Sequence, residues 1–265
     1  MIRHRWLGNL GLLLLVLALA VLVHRELAHE PIGRPLTALV PSQIHSVQLE
    51  RNGERLLFVR DQADWWMTVP YEVAADRGRV TRLLTLAEAQ VRDVLPVDAA
   101  GMRRLGLEPP RVALILDDTR LRLGVTDPVT GWRYVGVGER VYLIEDRFDP
   151  WLNASALEYL DRRLWPPDFT PAHGTFNGEP LTLAAVRALG DRPARSIVPL
   201  DSSSLAGDRV EVQPTEGAPL RFLVSRDGRQ WDRVDLRLRY LFDESPLPPA
   251  LIDARPPSPD EDPWP

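Results

Sequence analysis

Between Trp6 and Val23 the chain runs WLGNLGLLLLVLALAVLV without a single charge. No other stretch limits the fold so strongly. As a helix it is about 27 Å long, close to the roughly 30 Å hydrocarbon thickness of a bilayer. Arg3 and Arg5 precede it, and Trp6 stands where an interfacial aromatic belongs. Basic residues ahead of an apolar helix favour a cytoplasmic N-terminus. The expectation is a single-pass protein of the inner membrane. Residues 1–5 are then cytoplasmic, 6–23 form the transmembrane helix, and everything after Val23 is periplasmic or otherwise extracytoplasmic. A cleaved signal peptide is the competing reading, because Ala18-Leu19-Ala20 has a small-x-small pattern. That triplet lies inside the apolar run, however, whereas a cleavage site follows one. A buried helix of a soluble domain is the third reading.

The rest of the chain is long enough to bury its own core. It has no cysteine, which excludes disulfides, thiolate metal sites and thiol catalysis. A net charge of −5 gives no footprint for nucleic acid. Eight of the 25 prolines fall in the pairs Pro109-Pro110, Pro166-Pro167, Pro248-Pro249 and Pro256-Pro257, which punctuate the chain.

Residues 24–42 read as a tether, interrupted by Pro31, Pro35 and Pro41. Periodicity then sets in. Val47 and Leu49, then Leu56 and Phe58, alternate with polar residues on either side of Asn52-Gly53, a strong hairpin signal. Trp65 to Val69 continues as a third strand. A helix is expected from about Ala75, then a strand from Gln90 to Leu95, then a short helix capped by Asp98. Two more hairpins follow, turning at Asp117-Asp118-Thr119 and at Gly138-Glu139. Asp149-Pro150 is expected to open a helix with an apolar stripe from Trp151 to Leu160. Residues 43–165 therefore form a first α+β unit, mainly of antiparallel sheet. A linker spans 166–174, and 175–241 read as a reduced second α+β unit. The stretch from Val210 to Val234 repeats the pattern of the stretch from Val47 to Val69, with Trp231 matching Trp66. Residues 242–265, acidic and rich in Pro, are expected to be a disordered tail, because that composition lacks the apolar content for a core.

No arrangement of catalytic quality emerges, and no cofactor or metal is expected. His4, His24, His29, His45 and His173 form no ligand spacing. Gly136-Val137-Gly138 lies in a hairpin, not between strand and helix as a dinucleotide site requires. Asp117-Asp118 falls in a turn, and Ser202-Ser203-Ser204 has no nucleophile-elbow glycines. Arg162-Arg163 suits a helix C-terminus, with a phosphate or peptide contact as the alternative. Trp65 and Trp66 point to opposite faces of their strand, so one is core and the other more exposed.

Several features in order resemble the bacterial DUF4340 family, a domain family of unknown function. They are the apolar N-terminal segment, VQLERNG from Val47, Trp66 with Pro70, and Asp98 before LGLEPP from Leu105. LRLG from Leu121, Tyr134-Val135, Val141-Tyr142-Leu143 and Tyr159-Leu160-Asp161-Arg162-Arg163-Leu164 complete the set. The resemblance implies an envelope protein. In some genomes it implies an association with ABC-transporter components related to gliding-motility machinery. It carries no catalytic residues.

The function expected is therefore a non-enzymatic, membrane-anchored accessory or scaffolding protein. Its partners are the bilayer, through residues 6–23, and an envelope or membrane protein, for which the family resemblance implies an ABC transporter; nucleic acid is not among them. Trp65, Trp132 and Trp151 are the candidate interface residues, because Trp is enriched at interface hot spots. A cell-envelope glycan or peptide binding module is the alternative, and it requires an exposed Trp beside convergent polar groups. An envelope hydrolase would require Asp117, Asp127 and Glu145 to converge.

Overall fold

The computed structural model describes residues 13, 15–19, 33–200, 207–249 and 251. Most of Trp6–Val23, the first part of the tether, Ser202-Ser203-Ser204 and the tail from 252 lie outside the described residues. Among those described, no helix is long and apolar enough to cross a membrane. The chain divides into two compact units, each discontinuous in sequence. One comprises Met1–Gln43 and Thr85–Arg147, the other Ile44–Leu84 and Phe148–Pro265.

The second of these units begins with β1 (Ser46–Arg51), β2 (Glu54–Asp61), β3 (Asp64–Val69) and β4 (Val73–Ala74). They lie in the order β4-β3-β2-β1. Asn52 (φ 47°) and Gly53 (φ 78°) both take left-handed backbone, as a two-residue type I′ turn demands. The turn fixes the register: Val47 faces Phe58 and Leu49 faces Leu56, and all four are fully buried. Helix α1 (Arg77–Leu84) follows, burying Val80, Leu83 and Leu84. The same register decides between the two adjacent tryptophans. Trp65 pairs with Arg60, two residues beyond Phe58, and so shares the core face. It is 1 % exposed, with the Arg60 guanidinium 4.7 Å from its ring. Trp66 pairs with Val59 on the opposite face and is half-buried. Trp65 is therefore a core residue and not an interface residue.

The other unit contains β5 (Val91–Leu95), helix α2 (Ala99–Arg104), β6 (Val112–Leu116), β7 (Thr119–Thr126), β8 (Trp132–Val137) and β9 (Arg140–Glu145). The strands run in the order β6-β7-β8-β9-β5, all antiparallel. Asp98 caps α2, accepting a hydrogen bond from the Gly101 amide at 2.7 Å. The last part of the expected tether is built into this unit. The amides of Gly33, Leu36 and Thr37 donate to the carbonyls of Val91, Ala89 and Ala87. Leu36 is buried, and Pro35 bridges Gln90 at the sheet edge, where a missing amide is tolerated.

The chain returns to the first-described unit with α3 (Asp149–Leu152) and a 3-10 turn at Ala156–Tyr159. The single helix expected here is thus two pieces, and the N-cap is Phe148, not Asp149. Ser155 and Glu158 start the second piece, the Glu158 carboxylate accepting from the Ser155 amide at 2.8 Å. Then come β10 (Pro171–Phe176), β11 (Glu179–Leu181), α4 (Leu183–Asp191), β12 (Ser196–Pro199), β13 (Asp208–Pro214), β14 (Leu220–Val224), β15 (Gln230–Arg233) and β16 (Leu238–Leu241). The sheet order is β11-β10-β13-β14-β15-β16-β12. Its core is a chain of aromatic contacts, Phe169–Trp165–Phe222–Trp231–Phe242, with successive centroids 5.5–6.4 Å apart. Helix α4 reaches Trp165 through Gly190, where a Cβ would come within 1.8 Å of the indole. Much of the Trp surplus is therefore core.

A succession of elements occurs twice, in a register different from the one expected. An Asn-Gly hairpin, a helix and a strand are followed by a four-strand meander whose last strand closes on that preceding strand. The closures are β9 on β5 and β16 on β12. Leu121-Arg122-Leu123-Gly124-Val125-Thr126 on β7 matches Leu220-Arg221-Phe222-Leu223-Val224-Ser225 at β14. Each run stands six residues ahead of a Trp. Trp231 therefore corresponds to Trp132, not to Trp66. The next position is Arg133 in one copy and Asp232 in the other. Each makes a two-pronged ion pair, Arg133 with Asp146 and Asp232 with Arg239, but from different positions: Arg239 stands directly opposite Asp232, whereas Ile144 stands opposite Arg133.

Candidate functional site

Two depressions flank the β15–β16 turn. The smaller one has a volume of about 200 Å³. Its walls come from three stretches: Trp66 and Val73 on β3 and β4, Asp161 to Pro166, and Leu220 with Arg233, Leu236 and Tyr240. Hydrogen bonds between backbones bring the first two stretches together. The Asp161 amide donates to the Ala74 carbonyl at 2.9 Å, and Ala75 bridges Leu160. Beside it an open groove of about 540 Å³ runs along Pro219, Arg221, Leu223, Val234 and Asp235. Arg233 lines the pocket and Asp235 the groove. Their paired hydrogen bonds, 2.9 and 2.6 Å, make the wall shared by the two.

The polar groups of the pocket are arranged, not scattered. Arg163 holds Asp161 with Nε and a terminal nitrogen, at 3.0 and 2.6 Å. Tyr240 is 2 % exposed. Burial pushes its phenol up to about 12, with Arg233 pulling down and Asp161 and Asp235 pushing up. It therefore stays a protonated donor at any physiological pH. Trp66 supplies the aromatic face. A half-buried Trp beside convergent polar groups is the arrangement that a binding module requires.

The tryptophans singled out from the sequence fall elsewhere. Trp65 is core. Trp132 is half-buried at the start of β8, opposite Glu145. Trp151 is half-buried between Phe148, 6.1 Å away, and the Arg82 guanidinium, 5.3 Å away. The three carboxylates of the hydrolase reading do not converge. Asp117 turns β6 into β7, while Asp127 follows the far end of the eight-residue β7, about 26 Å away at a strand's rise. Asp127 accepts from the Tyr134 hydroxyl at 2.8 Å and from the Val129 and Thr130 amides. Those bonds, the Tyr134 one foremost, hold its carboxyl below the ordinary range. Glu145 pairs with Arg92. Among the described residues, no cluster of His, Asp and Glu could hold a metal ion.

Asp146 lies near that end of the sheet and gives a pH prediction. Burial pushes its carboxyl up, but the hydrogen bonds from Arg133 and Thr126 outweigh burial, so the native pKa is depressed. A depressed native pKa stabilises the fold above the unfolded value, about 3.9. The contribution fades as pH falls from there through the native value. Asp146→Asn should therefore lower stability at pH 7 and flatten the acid limb below about pH 4, read by urea titrations at several pH values. An acid limb unchanged in the variant would refute the assignment.

Of the pocket residues, Arg233 and Tyr240 carry no sequence signal of a site, and Arg163 carries one only as half of the Arg162-Arg163 pair. They come from segments that nothing local in the chain connects. No curated protein matches the chain, and no solved structure does. A family model, a domain of unknown function, matches residues 36–175, more than half of the sequence. The chain belongs to the DUF4340 family.

Proposed function

We propose that this protein is a non-catalytic, membrane-anchored accessory protein that holds a partner at the outer face of the inner membrane. The observation that carries the reading is the Trp66 pocket. It offers an aromatic face, apolar walls and polar groups already fixed by ion pairs, the features of a recognition site. The N-terminal segment supports the anchor. Leu13, Leu15, Val16, Leu17 and Leu19 lie in helix and are each more than half exposed, which in water is unfavourable and in lipid is not. Arg3 and Arg5 set the N-terminus inside. The association of some DUF4340 proteins with ABC-transporter components makes such a transporter the partner of choice.

The topology is tested by reporters fused after Pro265. A reporter that works only outside the cytoplasm should be active there. Activity of a reporter that works only in the cytoplasm would end this reading. The pocket also favours a second reading, an envelope binding module for a glycan or peptide. The two differ in whether the occupant belongs to a membrane complex.

A further inference from the structure

We propose that one end of the sheet formed by β5 to β9 rests on an anionic lipid surface. Val129, at the tip of the β7–β8 hairpin, enters the membrane interface, and exposed arginines around it meet the headgroups. This rests on reading the chain as membrane-anchored, and it names the surface that lies against the lipid.

The place where the chain joins this unit is the first ground. Nine residues, 24–32, separate the apolar run from Gly33, a reach of at most roughly 35 Å. The Gly33 amide donates to the Val91 carbonyl at 2.8 Å, so the chain enters beside the start of β5. Val91, Ile144, Arg133 and Thr126 form one row across the neighbouring strands β5, β9, β8 and β7. That row marks one end of the sheet, and there β7 turns into β8 through residues 127–131. The entry point and the hairpin therefore share an end, about 15 Å apart across the strands.

The hairpin itself is the second ground. Val129 is 91 % exposed. The backbone around it needs no water. The Val129 and Thr130 amides donate to the Asp127 carboxylate at 2.8 and 3.1 Å, and the Gly131 amide to the Asp127 carbonyl at 2.9 Å. The Asp127 amide donates to the Trp132 carbonyl at 2.7 Å, and the Trp132 amide to the Thr130 hydroxyl at 3.3 Å. Residue 128 is proline and has no amide to satisfy. A loop in water can leave such groups to solvent, whereas a loop that enters lipid cannot. Trp132, half-buried at the foot of the hairpin, stands where an interfacial aromatic belongs.

Charge is the third ground. Helix α2 finishes at this same end, because the Val125 amide donates to the Leu105 carbonyl at 2.9 Å. Arg103 and Arg104 close that helix, Arg111 lies with Val125 beside Gly106, and Arg147 follows β9. All four arginines are exposed. The acids of this end are mostly engaged: Asp146 with Arg133, Glu145 with Arg92, and Asp127 with the loop amides and the Tyr134 hydroxyl. Glu108 is exposed among the arginines. A basic rim on a chain of net charge −5 is a local feature. Beside a membrane anchor, such a rim is drawn to anionic lipid. A single apolar tip inside it fits a lipid interface better than a protein, which asks for a contiguous apolar patch.

The test reconstitutes the full-length chain into vesicles of phosphatidylcholine, with and without phosphatidylglycerol, and floats them on a density gradient. Val129→Cys carries one fluorophore, because the sequence has no other thiol. Glu139→Cys, in the β8–β9 turn at the far end of the same strands, is the control. Nitroxide-bearing lipids report contact by quenching. On the anionic vesicles the label at position 129 should be quenched and the label at 139 should not. Changing Arg103, Arg104 and Arg111 to Gln should disfavour docking there roughly a hundredfold, about fivefold for each charge, and release the label. All these positions are exposed, so the variants should melt with the parent. Floated protein whose label at 129 is quenched no more than that at 139 would overturn the proposal and leave the anchor standing. Quenching that survives the loss of the three arginines would overturn it as well. Protein that fails to float would overturn the anchored reading and this inference with it.

Discussion

Alanine in place of Trp65 is expected to destabilise the fold by about 3–5 kcal/mol, the range for a large aromatic deleted from a core. The neighbouring Trp66→Ala should cost only about 1 kcal/mol, because a half-buried side chain has less apolar area to lose. The contrast follows from one residue of phase. Trp65 sits in line with the fully buried Met67 and Phe58, and Arg60 closes over it. Trp66 sits on the other face and opens onto the pocket. Urea denaturation of the two variants, read as a change in midpoint at constant slope, separates them. Equal losses would mean that the two indoles share one environment, and the site would have no aromatic wall to spare.

The second large effect is expected at Arg51. It ends β1 on the inward face and is 7 % exposed. Its guanidinium donates to the carbonyls of Leu152 and Ala154, at the C-terminus of α3 and just beyond it, and contacts Glu54 at 3.3 Å. Those carbonyls belong to the group that a helix end leaves unsatisfied. The Tyr159 hydroxyl does the same for the Trp151 carbonyl, with its ring 5.1 Å from Phe58. Arg51→Met keeps the length and the packing but strands two buried acceptors, at about 1–3 kcal/mol each. A total of about 3–5 kcal/mol is expected. Arg51→Lys should recover part of it, since an ammonium keeps the charge but not the fork that reaches both carbonyls. A loss below about 1 kcal/mol for Arg51→Met would show that Leu152 and Ala154 find other donors.

What the sequence made legible has a physical pattern. Asn52-Gly53, the Asp117 turn and the Asp98 cap are local signals, and each lies where the reading put it. Asn177-Gly178 has the same φ signature as Asn52-Gly53 and went unread. Its second strand is only three residues, Glu179–Leu181, too short to show alternation. Ser155-x-x-Glu158 was likewise a readable capping box hidden inside an apolar stripe. Two amphipathic hairpins look alike, so sequence alone pairs Trp231 with Trp66. Only the closure of β9 on β5 and of β16 on β12 shows which strands correspond. The phase of Trp65 and Trp66 was available by counting back from the Gln62-Ala63 turn to Phe58. The pocket was not available at all. Trp66, Arg163 and Tyr240 are separated by about a hundred and about eighty residues, and no period or motif spans such gaps.

In the proposed function the Trp66 pocket, and not Trp132 or Trp151, is the face that meets a partner. A photoreactive amino acid placed at Glu72, exposed at the pocket rim, tests it in intact cells. The same probe at Trp132 and at Trp151 is the comparison. A discrete crosslinked species is expected from position 72. That species should fall about thirtyfold or more when Trp66→Ala is added, while the protein stays folded. Crosslinks from position 132 or 151 that Trp66→Ala leaves unchanged, with none from position 72, would contradict it.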